Sequence, residues 1–328
     1  MTDEAGGPTS SRAKRRWFRG RAEFEAQVDA TRAEIRAQVK ATRAQIEATN
    51  EKIEARAGRN LPLAILIGLA LGFAMLFSLI VIKELFMIFA GALIAFTAFE
   101  LASALRYAGR DVPRWATVIA VLAMVPAAFY FGDVGNWLVL LGGVVFVTGW
   151  RVVELVSAKH RGTPAEVWAD IGAGIFIQVY VTFLASFALL LTSKPGGEWW
   201  TLAFLILVVS IDTGAYASGL SFGKHPMAPR ISPKKTWEGF AGSVVVGLVA
   251  GLLLAIFMLH EPWRFGLIFG ATIVFTATVG DLVESLIKRD LGIKDISTWL
   301  PGHGGFLDRL DSILPSAAAA YVLFLVAS

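Results

Sequence analysis

The stretch that decides the fold class is residues 265–286, which read FGLIFGATIVFTATVGDLVESL. No charged side chain occurs from Phe265 to Gly280, and two carboxylates, Asp281 and Glu284, then follow within four residues. A helix needs about 20 predominantly apolar residues to cross the hydrocarbon core of a bilayer. The stretch therefore predicts a transmembrane helix with acidic groups near one end, and such groups are functional candidates by default.

Comparable apolar segments occur along the rest of the chain. Of the 328 residues, 55% are hydrophobic and only 17% are charged, and the mean hydropathy is +0.62. This composition excludes a disordered chain and an ordinary cytosolic enzyme, and the absence of cysteine excludes disulfides and thiolate chemistry. We predict an all-α, polytopic integral membrane protein of about nine transmembrane helices, at 61–82, 85–105, 115–131, 137–150, 168–191, 199–218, 240–259, 265–286 and 313–327.

The first 60 residues form a separate, polar region. They contain 13 Lys and Arg against 9 Asp and Glu, whereas residues 61–328 contain 17 of each. Residues 2–20 are predicted to be disordered, and 22–57 lack Gly and Pro, which favours helix. An eleven-residue repeat relates 30–40 to 41–51. We expect a cytoplasmic, basic, partly disordered extension (1–60), either a solvated helix or a segment for self-association or membrane-surface contact, before a transmembrane catalytic domain (61–328).

The basic residues between the predicted spans indicate the orientation of the chain. The loops at 106–114, 151–167, 219–239 and 287–312 contain fourteen Lys and Arg, whereas the alternate loops contain only Lys83, Lys194 and Arg264. Because cytoplasmic loops carry an excess of Lys and Arg, we expect a multi-pass protein of the cell (inner) membrane with a cytoplasmic N-terminus and active site. The balanced charge of 61–328 indicates no nucleic-acid partner.

One candidate site loop connects the sixth and seventh predicted spans. Asp212 and Tyr216 are spaced to share a helix face at the end of the sixth span. Ser232-Pro233 is predicted to open the seventh helix, with Thr236 or Glu238 capping its free N–H groups. Lys234 and Lys235 near that helix start suit an anionic group, although lysines there also fit a simple marker of the inner face.

The second candidate loop connects the last two spans. Asp281, Glu284, Ser285 and Lys288 follow i, i+3, i+4, i+7 spacing and form one polar stripe on an apolar helix. Beyond the glycine-rich turn at 302–305, Asp308 and Asp311 lie three residues apart, and further cations lie at Arg289, Lys294 and Arg309.

Carboxylates on separate helices, beside cations and a glycine-rich turn, indicate metal–polyphosphate chemistry. Mg²⁺ binds a few carboxylates and completes its shell with water and phosphate oxygens. The sequence contains neither a Walker A motif nor a Gly-x-Gly-x-x-Gly strand–helix unit. His303 fits either a structural role in the turn or contact with a phosphate.

These same residues resemble a known family. Residues 285–311 read SLIKRDLGIKDISTWLPGHGGFLDRLD, residues 232–239 read SPKKTWEG, and residues 212–216 read DTGAY. All three stretches resemble the phosphatidate cytidylyltransferase (CDP-diacylglycerol synthase) family, and the resemblance extends over 61–328. It implies that CTP and phosphatidate give CDP-diacylglycerol and pyrophosphate with Mg²⁺, in phospholipid biosynthesis, and that Asp281 and Asp308 bind the metal.

Individual residues are predicted to have the following roles. Asp281 and Asp308 are predicted to bind Mg²⁺ with Asp311, with room for a second metal ion, and Lys288 and Arg289 complete the catalytic set. The predicted substrate-binding residues are Asp212, Lys234, Lys235, Ser285, Lys294, His303, Gly304, Gly305 and Arg309. CTP, phosphatidate and the lipid bilayer are the expected partners, and a homodimer is a further candidate assembly.

Two other functions remain open from the sequence. Another CTP-dependent membrane lipid enzyme, such as a polyprenol kinase, would direct attack to the γ-phosphorus. A membrane transporter would use Asp212 and Asp281 as coupling sites, but it is expected to show inverted repeats, and no such repeat is seen in the predicted spans.

Overall fold

The structure is a computed structural model that describes residues 61–297, 299 and 304–327. The described chain is almost entirely helical. The helices are α1 (Leu61–Val81), α2 (Lys83–Tyr107), α3 (Arg114–Glu154), α4 (Pro164–Ser193), α5 (Gly197–Phe222), α6 (Trp237–Leu259), α7 (Trp263–Asp290), α8 (Leu307–Leu310) and α9 (Ile313–Ala327). Predictions on the N-terminal extension and on His303 lie outside the described residues.

Within the part of the chain that the structure describes, seven helical segments are long and apolar enough to cross a membrane. They are α2 to α7 and the combined α8–α9 segment Leu307–Ala327, while α1 is apolar over the shorter stretch Leu66–Val81. The predicted all-α, multi-pass membrane architecture is therefore confirmed. The exact count of nine spans is not confirmed and stays a prediction.

Helix α3 contains both the third and the fourth predicted spans. It has 41 residues, and its helical geometry breaks at Gly132, where φ is 62° and ψ is −147°. The two halves pack against each other, because Ala116 and Ala120 share a buried cluster with Val147. The element is therefore a helical hairpin that reverses at Gly132, a backbone conformation that glycine adopts without steric cost.

A short β-hairpin separates α5 from α6 and corrects one local prediction. Strands β1 (Pro226–Ala228) and β2 (Ser232–Thr236) pair antiparallel, so Ser232 and Pro233 lie in a strand and do not open a helix. Helix α6 begins at Trp237, and the Thr236 hydroxyl caps it by accepting from the Gly239 N–H at 3.1 Å. The Glu238 carboxylate instead accepts from backbone N–H groups of the loop that leads into the hairpin.

The loops gather at two opposite ends of the helices, in the groups that the charge count predicts. At one end, Lys83 lies beside the α4–α5 turn, with its Nζ 3.0 Å from the Lys194 carbonyl oxygen and 2.6 Å from Glu198. At the other end, Asp111 from the α2–α3 loop lies 2.5 Å from His160, which follows α3. The two ends of the α3 hairpin thus return to the same side.

Candidate active site

A cavity of about 570 Å³ lies where α5, α6 and α7 meet the β-hairpin and the start of the last helical segment. Of the predicted site residues that the structure describes, six line it, four acidic and two basic: Asp212, Asp281, Asp308, Asp311, Lys234 and Lys235. Another part of the wall is apolar, formed by side chains that include Leu220, Met227 and Phe240. The cavity therefore presents a charged surface and a hydrophobic surface to the same ligand.

Three carboxylates in and beside the cavity converge tightly enough to share one cation. Asp281, Glu284 and Asp311 each offer an oxygen, and these oxygens lie within 4.8 Å of one another. Carboxylate oxygens are the protein ligands that Mg²⁺ favours. These three carboxylates therefore fit the predicted Mg²⁺. Asp281 and Asp311 are predicted ligands, and Glu284 is an additional one.

Close packing at Gly280 brings two of these carboxylates together. Any Cβ at this position would overlap the Asp311 carbonyl oxygen and press on Pro315. Helix α7 can therefore touch the turn between α8 and α9, where Asp311 lies. This contact sets Asp281, the next residue of α7, beside Asp311.

Asp308 lies beside this group and is held by a lysine. Its Oδ1 is 3.2 Å from the Lys288 Nζ, and its Oδ2 accepts from the Gly305 N–H at 2.7 Å. Lys288 also contacts the Glu284 Oε1 at 2.6 Å, one helical turn away. Lys288 therefore bridges Glu284 and Asp308, while Asp308 lines the cavity without belonging to the three-carboxylate group.

The two candidate loops meet in the structure. Lys235 of β2 forms an ion pair with Asp281 of α7 at 2.5 Å. The Arg289 Nε, farther along α7, donates to the Ile231 carbonyl oxygen at 3.1 Å and fixes the turn of the β-hairpin. Lys234, which precedes Lys235 in β2, is exposed and also lines the cavity.

The other predicted substrate-binding residues have different positions. Gly304 and Gly305 form the turn before α8, and Gly304 has a φ of +81°. Ser285 is partly buried on α7, while Lys294 and Arg309 are exposed. None of these three is among the described residues that line the cavity.

Two further acidic residues with structural links to the site, Glu284 and Glu100, are not among the predicted site residues. Glu284 belongs to the predicted polar stripe but not to the predicted metal ligands, because the helical spacing alone does not indicate which residue of the stripe binds a metal. Glu100 of α2, which is 2% exposed, accepts hydrogen bonds from the loop before α8. Its only sequence signal was an acidic residue in an apolar span.

The fold and this cavity define an integral membrane protein with a charged, cation-compatible site at the ends of its helices. The chain belongs to the cytidylyltransferase family, whose sequence model matches residues 63–327.

Several relatives match most of the chain. A protein named phosphatidate cytidylyltransferase from Mycobacterium bovis is 40% identical over 275 residues, which cover 82% of this chain and 90% of the relative. Relatives of the same name from Mycobacterium leprae and Pseudomonas aeruginosa are 39% identical over 277 residues and 34% identical over 230 residues. These alignments cover 82% and 70% of this chain, and 88% and 83% of the respective relatives.

Proposed function

We propose that this chain transfers the cytidylyl group of CTP to phosphatidate and releases pyrophosphate, as the names of its relatives indicate. One observation carries the proposal at the level of the site. Three carboxylates suited to a divalent cation adjoin one cavity with Lys234 and Lys235, beside an apolar wall. A cation and lysines suit the triphosphate, and the apolar wall suits a lipid substrate.

The reaction forms one bond and breaks one. A phosphate oxygen of phosphatidate bonds to the α-phosphorus of CTP, and the bond from that phosphorus to the oxygen bridging to the β-phosphorus breaks, so that pyrophosphate leaves. Phosphoryl and nucleotidyl transfer depend mainly on positioning and charge stabilisation. A protein nucleophile is not required, which agrees with the absence of cysteine.

The residues divide this work according to their positions. Asp281, Glu284 and Asp311 would hold Mg²⁺, which supplies charge neutralisation on the triphosphate when it is bound. Lys235, which contacts Asp281, is placed to bind a phosphate oxygen beside the metal group. Lys288, which contacts both Glu284 and Asp308, is placed to stabilise the negative charge of these two carboxylates.

The experiment is an assay of purified protein with CTP labelled at the α-phosphorus, with and without phosphatidate and Mg²⁺. We expect a labelled CDP-lipid and free pyrophosphate, both dependent on lipid and metal. A kinase acting at the γ-phosphorus would instead release labelled CDP and leave the lipid without cytidine. That result, or turnover that persists in chelator, would refute the proposal.

We also propose that the cavity faces the cytoplasm in the cell (inner) membrane, because fourteen of the seventeen loop cations lie on that side. The chain contains no native cysteine, so single cysteines introduced at Lys294 and Arg264 give clean reporters. In intact cells, an impermeant maleimide should label the cysteine at 264 and spare the one at 294. The reverse pattern would invert the orientation.

A further inference from the structure

Glu100 connects the first half of the chain to the loop before α8. The Ser297 hydroxyl and the Phe306 N–H both donate to its Oε1, the latter at 3.1 Å, and the Leu307 N–H donates to its Oε2 at 2.8 Å. These partners follow Glu100 by about 200 residues, and the carboxylate is 2% exposed. Because two donors from the loop before α8 and one from the first residue of α8 converge on it, the side chain anchors the end of that loop.

The same turn that rests on Glu100 also holds Asp308. Gly305 lies so close to Glu100 that any Cβ there would overlap the carboxylate. The N–H of Gly305 donates to the Asp308 Oδ2 at 2.7 Å, while the next two N–H groups donate to Glu100. Three successive backbone donors are thus divided between a buried carboxylate and a cavity-lining one.

This turn is connected through Asp308 to the three-carboxylate group. Asp308 accepts from Lys288, and Lys288 pairs with Glu284. Glu100 itself is not among the described residues that line the large cavity, and its hydrogen bonds are to the segment that leads to Asp308.

Aromatic packing fixes the same loop to the same helix. The rings of Phe96 and Phe306 are stacked with centroids 5.0 Å apart, and those of Phe99 and Trp299 are 5.7 Å apart. Phe96, Phe99 and Glu100 are neighbours on α2, so polar and apolar contacts place the loop in one register. This packing restrains the side chains of Trp299 and Phe306, whereas the hydrogen bonds to Glu100 set the backbone at Phe306 and Leu307.

We propose that Glu100 is a positioning residue of the active site, which sets Asp308 and Lys288 through the Gly305–Leu307 backbone. A carboxylate suits this position because the N–H groups of Phe306 and Leu307 can only donate, and the Ser297 hydroxyl donates as well. An amide would turn its NH₂ group toward either the Leu307 N–H or the Ser297 and Phe306 donors, and would lose acceptors there. The expected effect on kcat rests on the proposed function.

The test compares Glu100→Gln with Glu84→Gln in the full-length protein with Mg²⁺ and CTP. Glu84 is an exposed residue in the first turn of the same helix, so the control makes the same chemical change far from the loop. We expect Glu100→Gln to lower kcat by about 10- to 100-fold, the range seen when outer-shell partners are lost. The KM for CTP should change by less than about threefold, because the lysines of β2 still bind the nucleotide.

A second readout follows the loop without reference to activity. Limited trypsin digestion with mass spectrometry measures cleavage after Lys294, in the loop that Glu100 holds, and after Arg230, in the turn of the β-hairpin. Both residues are exposed. Glu100→Gln should accelerate cleavage after Lys294 only, and Glu84→Gln should change neither rate. If Glu100→Gln does not fold, Ser297→Ala removes one donor and should give a smaller change of the same kind.

The outcomes separate this inference from the proposed function. An unchanged kcat and an unchanged cleavage rate at Lys294 would overturn the role of Glu100. Equal acceleration at both trypsin sites would also overturn it, because it would show general destabilisation. Wild-type protein that forms no CDP-lipid would refute the proposed function instead. The rate of cleavage after Lys294 would still test whether Glu100 restrains the loop.

Discussion

Two clusters of charged side chains lie at the end of the helices where α2 ends. They differ in the balance between acidic and basic residues. In the ion-pair network of Arg106, Asp111, Arg151, His160 and Asp170, each acid faces a base. Arg151 contacts Asp170 at 2.8 Å, and Asp111 contacts Arg106 at 2.9 Å. In the cavity, four acidic residues face two lysines, and three carboxylate oxygens of the site converge within 4.8 Å.

The difference teaches how to distinguish a structural cluster from a functional one. Both regions contain three metal-ligating side chains within 4.8 Å of one another, since Asp111, Glu154 and His160 also form such a group. Only the carboxylate group of Asp281, Glu284 and Asp311 adjoins the described 570 Å³ cavity and carries an excess of negative charge. Unbalanced like charges destabilise a folded protein unless a ligand or cation offsets them.

The largest effect that would sharpen this contrast is expected at the cavity. Asp281→Asn, Asp308→Asn and Asp311→Asn should each reduce kcat/KM for CTP by about 100-fold, because each removes a carboxylate that we propose to bind or order the metal. For Asp311→Asn, the melting temperature in detergent should stay the same or rise, since repulsion within the group falls. A variant with near wild-type turnover at saturating Mg²⁺ would remove that residue from the site.

The network should respond in the opposite way. Arg151→Met leaves Asp170 as a buried, uncompensated charge, which typically costs about 3 kcal/mol or more of stability. The side chains of Arg151 and Asp170 are 3% and 5% exposed, so water compensates little. We expect a lower unfolding midpoint in a denaturant titration, with kcat per folded molecule within about twofold of wild type. Lost turnover at an unchanged midpoint would make the network catalytic.

A smaller effect concerns the contact between the two loops. Lys235→Ala should weaken the use of CTP, and the loss should shrink when Arg289 is already replaced by alanine. The reason is that Arg289 fixes the hairpin at Ile231, four residues before Lys235. In a double-mutant cycle on kcat/KM, coupled residues typically differ from additivity by about 0.5–3 kcal/mol. Strict additivity in folded variants would mean that the loops do not share the nucleotide.

The smallest effect is expected from deleting residues 1–55. All of the described residues that line the cavity come from 211–312. The truncated protein should therefore retain kcat within about twofold, measured in the same CDP-lipid assay. Loss of turnover in a truncated chain that still inserts in the membrane and folds would contradict this expectation.

The sequence predicted the membrane fold well, because hydropathy and loop charge are local signals that the bilayer makes strict. It predicted six of the cavity residues for a related reason. Asp281 and Lys235 stood out as charges next to apolar spans, and the topology required their two loops to lie on one side.

What the sequence did not predict depends on contacts between distant segments. The role proposed for Glu284 depends on Gly280 allowing α7 to approach Asp311, and the role proposed for Glu100 depends on contacts with residues about 200 positions away. The β-hairpin was missed because its strands are three and five residues long and contain proline, which reads as a helix start or a turn.

Direct measurement of metal binding tests the central claim, which is that the unbalanced cavity cluster, and not the balanced network, holds the divalent cation. Mn²⁺, a paramagnetic substitute for Mg²⁺, can be titrated into the purified full-length protein and its free concentration followed by electron paramagnetic resonance. We predict that Asp281→Asn and Asp311→Asn weaken Mn²⁺ binding by at least about 10-fold, whereas Asp111→Asn and Glu154→Gln leave it unchanged. Loss of binding in Asp111→Asn, with wild-type affinity in Asp311→Asn, would contradict the account.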